Sequence, residues 1–445
     1  MTATKSSTEP HDSHKANVAK IYKEPPPAFG HDMHKLFGFD PAYVSLNHGS
    51  YGSLPLPVRA YCDELTTKIE SNPDKFVKVD CINYWNTARE RVAKLIGAET
   101  DECVLVPNTS HGIATILRNF SFNKEDILIG TTTTYGSVTQ TLKYLADIPP
   151  HPTISTFNLQ FPTTHAAIID SFREHIQNVT AENPNNGDRK IIAVIDSIAS
   201  NPGVLLPWKE MVAICKEARV WTVVDGAHSI GQELDINLSE AQPDFWVSNC
   251  HKWLFAKRGC AVLYVPKRNQ YMIKSPIPTP VTYRSPRDEA YPGPQDFVKL
   301  FEWTGTIDYV PLLSVSAALD FREWLGGEHK INEYTHNLAV AGGKRLAERL
   351  GTSVMDPGGD LTLNMVNVEL PIPGDIEYSS EANQILLDTL LLEWNTYAAH
   401  FKHNGKWWTR CSVQVWNQIS DFDVVANALK DACAKVVDFA RQRAN

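Results

Sequence analysis

The sequence contains no apolar run approaching 18 residues, so nothing in it has the length and hydrophobicity of a membrane-spanning helix. It also lacks any CxxC pair, its eight cysteines being scattered at positions 62, 81, 103, 215, 250, 260, 411 and 433. That argues against a zinc cluster, a thioredoxin-type centre and a disulfide framework, and suits a reducing compartment. An excess of positive charge is missing too. Lys and Arg total 42 against 51 Asp and Glu, a net charge of −9. Binding to nucleic acid through its phosphates needs a basic face, so no nucleic-acid partner is expected. The first residues, MTATKSSTEPHDSHK, have neither the apolar core of a secretory signal nor the arginines of a typical transit peptide. The expected location is cytoplasmic, with no membrane partner. N-x-S/T triplets such as Asn119-Phe120-Ser121 therefore carry no weight. There are no internal repeats.

What is present is ordinary globular material. The chain has 445 residues, 43% hydrophobic and 21% charged, with 11 Trp and 28 Pro. So much aromatic area is normally buried, which is incompatible with wholesale disorder. The length suggests two domains, or one large one with an appendage. Residues 1 to about 24 are polar and end at Pro25-Pro26-Pro27, so residues 1–28 read as a mobile arm ending in a stiff spacer. From about Pro55 to Gly97 the pattern is helical, with Trp85, Val92 and Leu95 on one apolar stripe. Strand-length apolar runs then alternate with helical stretches: 104–106, 127–129, 191–195, 221–224, 245–247 and 261–264. Most are β-branched and apolar throughout, as suits a parallel sheet buried between helices. Residues 266–310 are irregular and Pro-rich. Beyond them, helical patterns at 332–350, 381–395 and 421–442 surround strands at 362–369 and 409–415. The expected division is thus a large domain over 29–315 and a small α+β domain over 316–445.

Three short segments carry candidate chemistry. In Asp244-Phe-Trp-Val-Ser-Asn-Cys-His-Lys252-Trp253, a lysine follows a buried strand, where its amine can be desolvated and made nucleophilic. Taken alone, it is as readily a surface lysine at a strand end. In Trp221-Thr-Val-Val-Asp225-Gly-Ala-His228-Ser, a carboxylate stands at the carboxyl end of a strand, where open α/β sheets bind ligands. Asp225 there could hold a protonated ring nitrogen, or act as a turn residue or helix cap. Asn108-Thr109-Ser110-His111-Gly112 joins a strand to a helix, so its backbone N–H groups could cradle an anion or simply cap the helix.

In the order cradle, aspartate, lysine, these segments resemble the class V branch of fold-type I pyridoxal 5′-phosphate (PLP) enzymes. The likeness runs from Leu46-Asn47-His48-Gly49-Ser50 to Ser420-Asp421-Phe422. Its most specific block is Ser248 to Leu254 followed by Arg258-Gly259-Cys260-Ala261-Val262. Within that branch it is most similar to the fungal ergothioneine-pathway C–S lyase and to loline-type alkaloid enzymes. The resemblance implies an α/β fold-type I architecture with a mainly parallel seven-stranded sheet and a small C-terminal α+β domain. It also implies a homodimer with shared sites, acting on a small amino-acid-like substrate.

Residue by residue, the resemblance gives Lys252 the imine to the cofactor aldehyde and then the proton at substrate Cα. Asp225 pairs with the pyridinium nitrogen, and His228 and Ser200 lie near the 3′-oxygen. Thr109, Ser110, Ser248 and His251 hold the phosphate, with Gly305 and Thr306 reaching in from a partner subunit. Arg410 clamps the substrate carboxylate, a task that suits its planar fork. Tyr135 stacks on the cofactor ring and can act as an acid toward a leaving group. Asn47 and His48 are pocket elements. No metal is implied.

Three departures bear on the substrate. No cysteine lies between Glu393 and Thr409, where a persulfide-forming desulfurase needs one. Pro280-Val281-Thr282-Tyr283-Arg284 replaces a Ser-His-Gly-aromatic stretch, and Ser71-Asn72-Pro73 stands where the ergothioneine-pathway lyase has an arginine. Cofactor chemistry is thus expected to be intact and substrate recognition altered. The expected reaction is β-elimination of a C–S bond in fungal specialised metabolism. The alternative is cyclisation of an alkaloid precursor, with epimerisation and transamination behind both. A PLP-fold scaffold without catalysis is disfavoured because Lys252 and Asp225 are both present.

Overall fold

The computed structural model describes residues 22–181, 189–288, 293 and 296–444. Residues 1–21 of the expected arm lie outside them. Residues 22–28, expected to be mobile, instead lie against the body of the protein: the Tyr22 ring packs 5.4 Å from that of Trp324, whose indole N–H donates to the Glu24 carbonyl at 2.7 Å.

Seven strands form the central sheet: β1 (Cys103–Val106), β2 (Ile127–Thr131), β3 (Thr153–Phe157), β4 (Ile191–Asp196), β5 (Trp221–Asp225), β6 (Phe245–Asn249) and β7 (Ala261–Tyr264). Their order is β1-β7-β6-β5-β4-β2-β3. All neighbours are parallel except β7, which runs antiparallel between β1 and β6. Every residue of β1, β2, β4, β6 and β7 is buried. This is why those runs are apolar on both faces, each full side-chain burial contributing about 1.5–3 kcal/mol. β3 is the exception. It forms the sheet edge, its first four residues are exposed or half-buried, and its Thr-Ile-Ser-Thr composition gave no apolar signal.

The helical stretch expected over 55–97 is two helices, α1 (Leu56–Ser71) and α2 (Cys81–Leu95). Pro73 has no N–H to continue the first helix, and the Asn72 side chain caps a new turn by accepting from the Lys75 amide at 3.0 Å. Helix α3 (Thr109–Asn119) follows β1 and α4 (Gly136–Asp147) follows β2. Towards the C-terminus, a three-stranded antiparallel sheet consists of β8 (Met365–Glu369), β9 (Ala399–His403) and β10 (Lys406–Ser412), with β10 in the middle. Helices α5 (Gly327–Leu350), α6 (Ser380–Asp388) and α7 (Ile419–Ala444) cover it and share a separate apolar cluster with it, built on Leu346, Val368, Trp407, Phe422 and Leu429. All eight cysteines are buried and unpaired. No helix among the described residues is long and apolar enough to cross a membrane.

Candidate active site

The parallel strands end on one edge of the sheet, and the candidate residues collect there. Lys252 sits in the turn joining β6 to β7, which is held by the Cys250 amide donating to the Cys260 carbonyl at 3.0 Å and by His251 Nδ1 donating to the same carbonyl at 2.9 Å. Two glycines let other loops close on this turn. Gly52 has φ +66°, and a Cβ there would lie 1.8 Å from the His251 carbonyl oxygen; Gly231 has φ +82°, and a Cβ would lie 2.7 Å from the Trp253 carbonyl carbon. The approach at Gly52 brings in His48, whose Nε2–H donates to the Lys252 carbonyl at 2.8 Å. Substituting Gly52→Ala should therefore cost on the order of 3 kcal/mol and loosen the cofactor, seen as a lower Tm and a weaker PLP Kd. An unchanged Kd would mean that this contact does not shape the site.

The Lys252 amine faces His228 Nε2 at 3.1 Å. Burial and the nearby Arg410 guanidinium pull its pKa down to about 7, with Asp225 opposing them. An amine at this value is about half free base at pH 7, so the neutral form that attacks an aldehyde is well populated. Capture of PLP by the cofactor-stripped chain is expected to rise with pH through about 7. A midpoint near the ordinary 10.5 of lysine would contradict this. The imidazole of His228 is held neutral by burial, then by the charges of Lys252, Arg410 and His251. His251 is likewise pulled down, to about 4, by burial.

Asp225 ends β5, and its Oδ1 accepts the Ala227 amide at 3.0 Å. Its neighbour in register on β4 is Asp196, also buried, whose Oδ2 has no hydrogen-bond partner among the described residues. Burial raises both carboxyls, Asp196 further because the Asp225 charge adds to it, whereas the Ala227 N–H and Lys252 hold Asp225 down. Asp196 played no part in the sequence reading, since a single acid at a strand end has no distinguishing spacing.

The cradle is the N-terminus of α3. Asn108 caps it by accepting from the His111 amide at 2.8 Å, and the Thr109 amide donates to Asn249 Oδ1 at 2.9 Å. Thr109 Oγ1 is buried with no partner among the described residues, which fits an anion ligand that completes it. Ser110 Oγ lies 2.7 Å from Ser137 Oγ, tying the cradle to the turn that carries Tyr135 at the start of α4. Tyr135 itself is 52% exposed.

Ser248 departs from its expected place. Its hydroxyl donates to the Gly226 carbonyl and accepts the Ile230 amide at 3.1 Å, so it braces the loop after β5 and has nothing left for a phosphate. The next residue, Asn249, reaches the cradle instead, because successive side chains on a strand point to opposite faces. Gly305 and Thr306 make no contact with the Lys252 cluster among the described residues; Gly305 has φ +126° and Thr306 is exposed.

Arg410 comes from β10, the middle strand of the small sheet. One terminal nitrogen donates to the Ser200 carbonyl at 2.7 Å and Ser200 Oγ at 3.2 Å, and the other to Ser50 Oγ at 3.0 Å and Asn47 Oδ1 at 3.2 Å. Ser200 is thus placed beside Arg410 in the free protein. Ser50, at the end of Leu46-Asn47-His48-Gly49-Ser50, carries no pattern in the sequence that sets it apart. Arg410 is buried, it has no carboxylate partner and its Nε no acceptor among the described residues, and burial brings its pKa down to about 10. A buried cation lacking a counter-ion is what an incoming carboxylate would neutralise. The segment between Glu393 and Thr409 forms β9 and its turn into β10, with His400 Nε2 donating to Asn383 Oδ1 at 2.9 Å and His403 Nε2 accepting the Phe161 amide at 2.9 Å.

A desolvated lysine, an aspartate at a strand end and an anion cradle now stand together on one edge of a mainly parallel sheet. Residues 58–372 match the family model for aminotransferase class-V. The chain belongs to that family. This class-V enzyme is 34% identical to the L-cysteine desulfhydrase-like protein lolT1 of Epichloe uncinata, over 92% of this chain and 97% of that one. It is 30% identical to hercynylcysteine sulfoxide lyase of Schizosaccharomyces pombe, over 91% and 98% respectively. Its fold matches the cysteine desulfurase of Thermococcus onnurineus NA1, with a TM-score of 0.72 at 17% identity, covering 93% of this chain and all of that one. The fold is therefore fold-type I, and the class-V enzyme uses pyridoxal phosphate. Thr109, with its unpartnered hydroxyl, Asp225 and Lys252 are the residues that fit this cofactor.

Proposed function

We propose that this enzyme is a C–S lyase that removes the sulfur substituent from a cysteine conjugate or cysteine sulfoxide by β-elimination. The observation that carries the reading is the buried Arg410, a cation with no acidic partner among the described residues, presented towards the same site as a lysine whose pKa is drawn down to about 7. Together they describe a substrate with an α-carboxylate and an α-proton. Bound PLP supplies an electron sink for the pair of electrons left when that proton departs. The chain's own residues do the rest. Arg410 orients the carboxylate, Lys252 Nζ takes the α-proton, and Asp225 holds a positive charge at the ring nitrogen. Tyr135 gives its phenolic proton to the departing sulfur. With one water consumed, the products are a thiol (or a sulfenic acid from a sulfoxide), pyruvate and ammonia.

The similarity to a desulfhydrase-like protein and to a sulfoxide lyase supports this reading. The absence of a cysteine between Glu393 and Thr409 supports elimination without a protein persulfide. A second reading, ring closure of an alkaloid precursor, rests on the departures at 280–284 and 71–73. We further propose a homodimer, in which Gly305 and Thr306 serve the partner's site, and a place in fungal specialised metabolism. The test offers PLP-loaded protein a series of S-substituted cysteines, their sulfoxides, and homoserine- and polyamine-derived amino acids. Pyruvate and ammonia from the cysteine series are expected. A spectral response without keto acid, seen only with the amine-bearing acids, would transfer the enzyme to ring closure.

A further inference from the structure

Trp253, the residue after the lysine, is wholly buried. Its indole N–H donates to His228 Nδ1 at 3.2 Å. The other ring nitrogen of His228 faces Lys252 Nζ at 3.1 Å. An indole nitrogen can only donate, so His228 Nδ1 has to accept and carries no proton. The neutral ring then keeps its proton on Nε2, and that proton points at the lysine. An amine that receives a hydrogen bond must offer its lone pair, and an ammonium has none.

We propose that Trp253 is a positioning residue for the lysine: by fixing the tautomer of His228, it makes the histidine a donor and holds the Lys252 amine as a free base. This holds whichever substrate the enzyme takes. The indole is itself fixed. Its backbone carbonyl accepts from Arg322 Nη1 at 2.7 Å, and its ring lies edge-on to His48, 5.2 Å between centroids. A Cβ on Gly49 would come within 3.1 Å of the indole ring. The groups facing the pair are Arg410 and His251 toward His228, and Arg410 and Asp225 toward Lys252. Arg410 and Asp225 act on the lysine in opposite senses, and neither reads the tautomer. Without the indole N–H, the histidine proton is free to move to Nδ1. Nε2 then becomes an acceptor that favours the ammonium.

The test has two parts. In the full-length protein labelled with 15N-histidine, long-range proton–nitrogen spectra between pH 6 and 9 should show His228 protonated on Nε2. Finding it protonated on Nδ1 overturns the proposal without recourse to any variant. In Trp253→Phe, which keeps most of the ring volume, the signal should move to a mixture of tautomers. The pH midpoint for PLP capture by the cofactor-stripped chain should then rise by about one unit, the size expected for one net hydrogen bond. In a His228→Gln background, Trp253→Phe should leave that midpoint where it is. An equal shift in both backgrounds would assign Trp253 to packing alone.

Discussion

Replacing Lys252 with alanine is expected to remove the visible absorption band of the PLP-loaded protein and to lower turnover by at least about 10³-fold. The loss combines the amine that joins the cofactor with the base that handles the α-proton, and positioned acid–base groups alone contribute roughly 10²–10⁴. Binding of PLP should weaken without vanishing, because the cradle at Thr109 and the carboxylate of Asp225 remain. Small exogenous amines should restore part of the turnover, since the cavity left by the side chain admits them. The measurement is absorbance after PLP loading alongside steady-state kinetics. A variant that stays yellow and active would remove Lys252 from the chemistry.

The second large effect is expected at Arg410. Arg410→Met should lower kcat/KM for carboxylate-bearing substrates by roughly 100-fold or more, the range expected when one member of a buried charge pair is truncated. Arg410→Lys should recover little of it. An ammonium cannot reproduce the fork that reaches Ser200 on one side and Asn47 and Ser50 on the other. The cofactor band should persist in both variants, since no contact joins Arg410 to Thr109 or Asn249 among the described residues. In Arg410→Met, however, the loss of the charge beside Lys252 should move PLP capture to higher pH. Equal losses for a carboxylate substrate and its decarboxylated amine would show that Arg410 supports the loops only.

The sheet was legible in the sequence because five of its strands are buried on both faces, and burial of that kind writes continuous apolar runs. β3 was not, because an edge strand needs no such run. The 55–97 stretch read as helical without a marked break because both helices present apolar stripes to the same core, and Asn72-Pro73 interrupts the backbone without interrupting the stripe. At the site, Lys252, Asp225 and Thr109 stood out as candidates because each lies at or just past the carboxyl end of a strand, whereas His228 was indicated only by the resemblance. Ser248 and Asn249 could not be told apart, since strand alternation assigns one of two neighbours to each face and the pattern does not say which. Trp253, Asp196 and Ser50 act through partners distant in the chain, and such pairings exist only after folding.

The burial of every cysteine bears on what the enzyme can survive. Burial raises most of these thiols, Cys62 and Cys411 to about 12 and Cys81 to about 11, so they stay protonated. A lyase that releases sulfenic acids works beside an electrophile that condenses with thiolates. With the proposed sulfoxide as substrate, this protein keeps its eight buried thiols out of reach of that product. Thiol-directed reagents should leave the native chain unlabelled at all eight positions, and the catalyst should outlast many rounds of its product without self-inflicted cross-links.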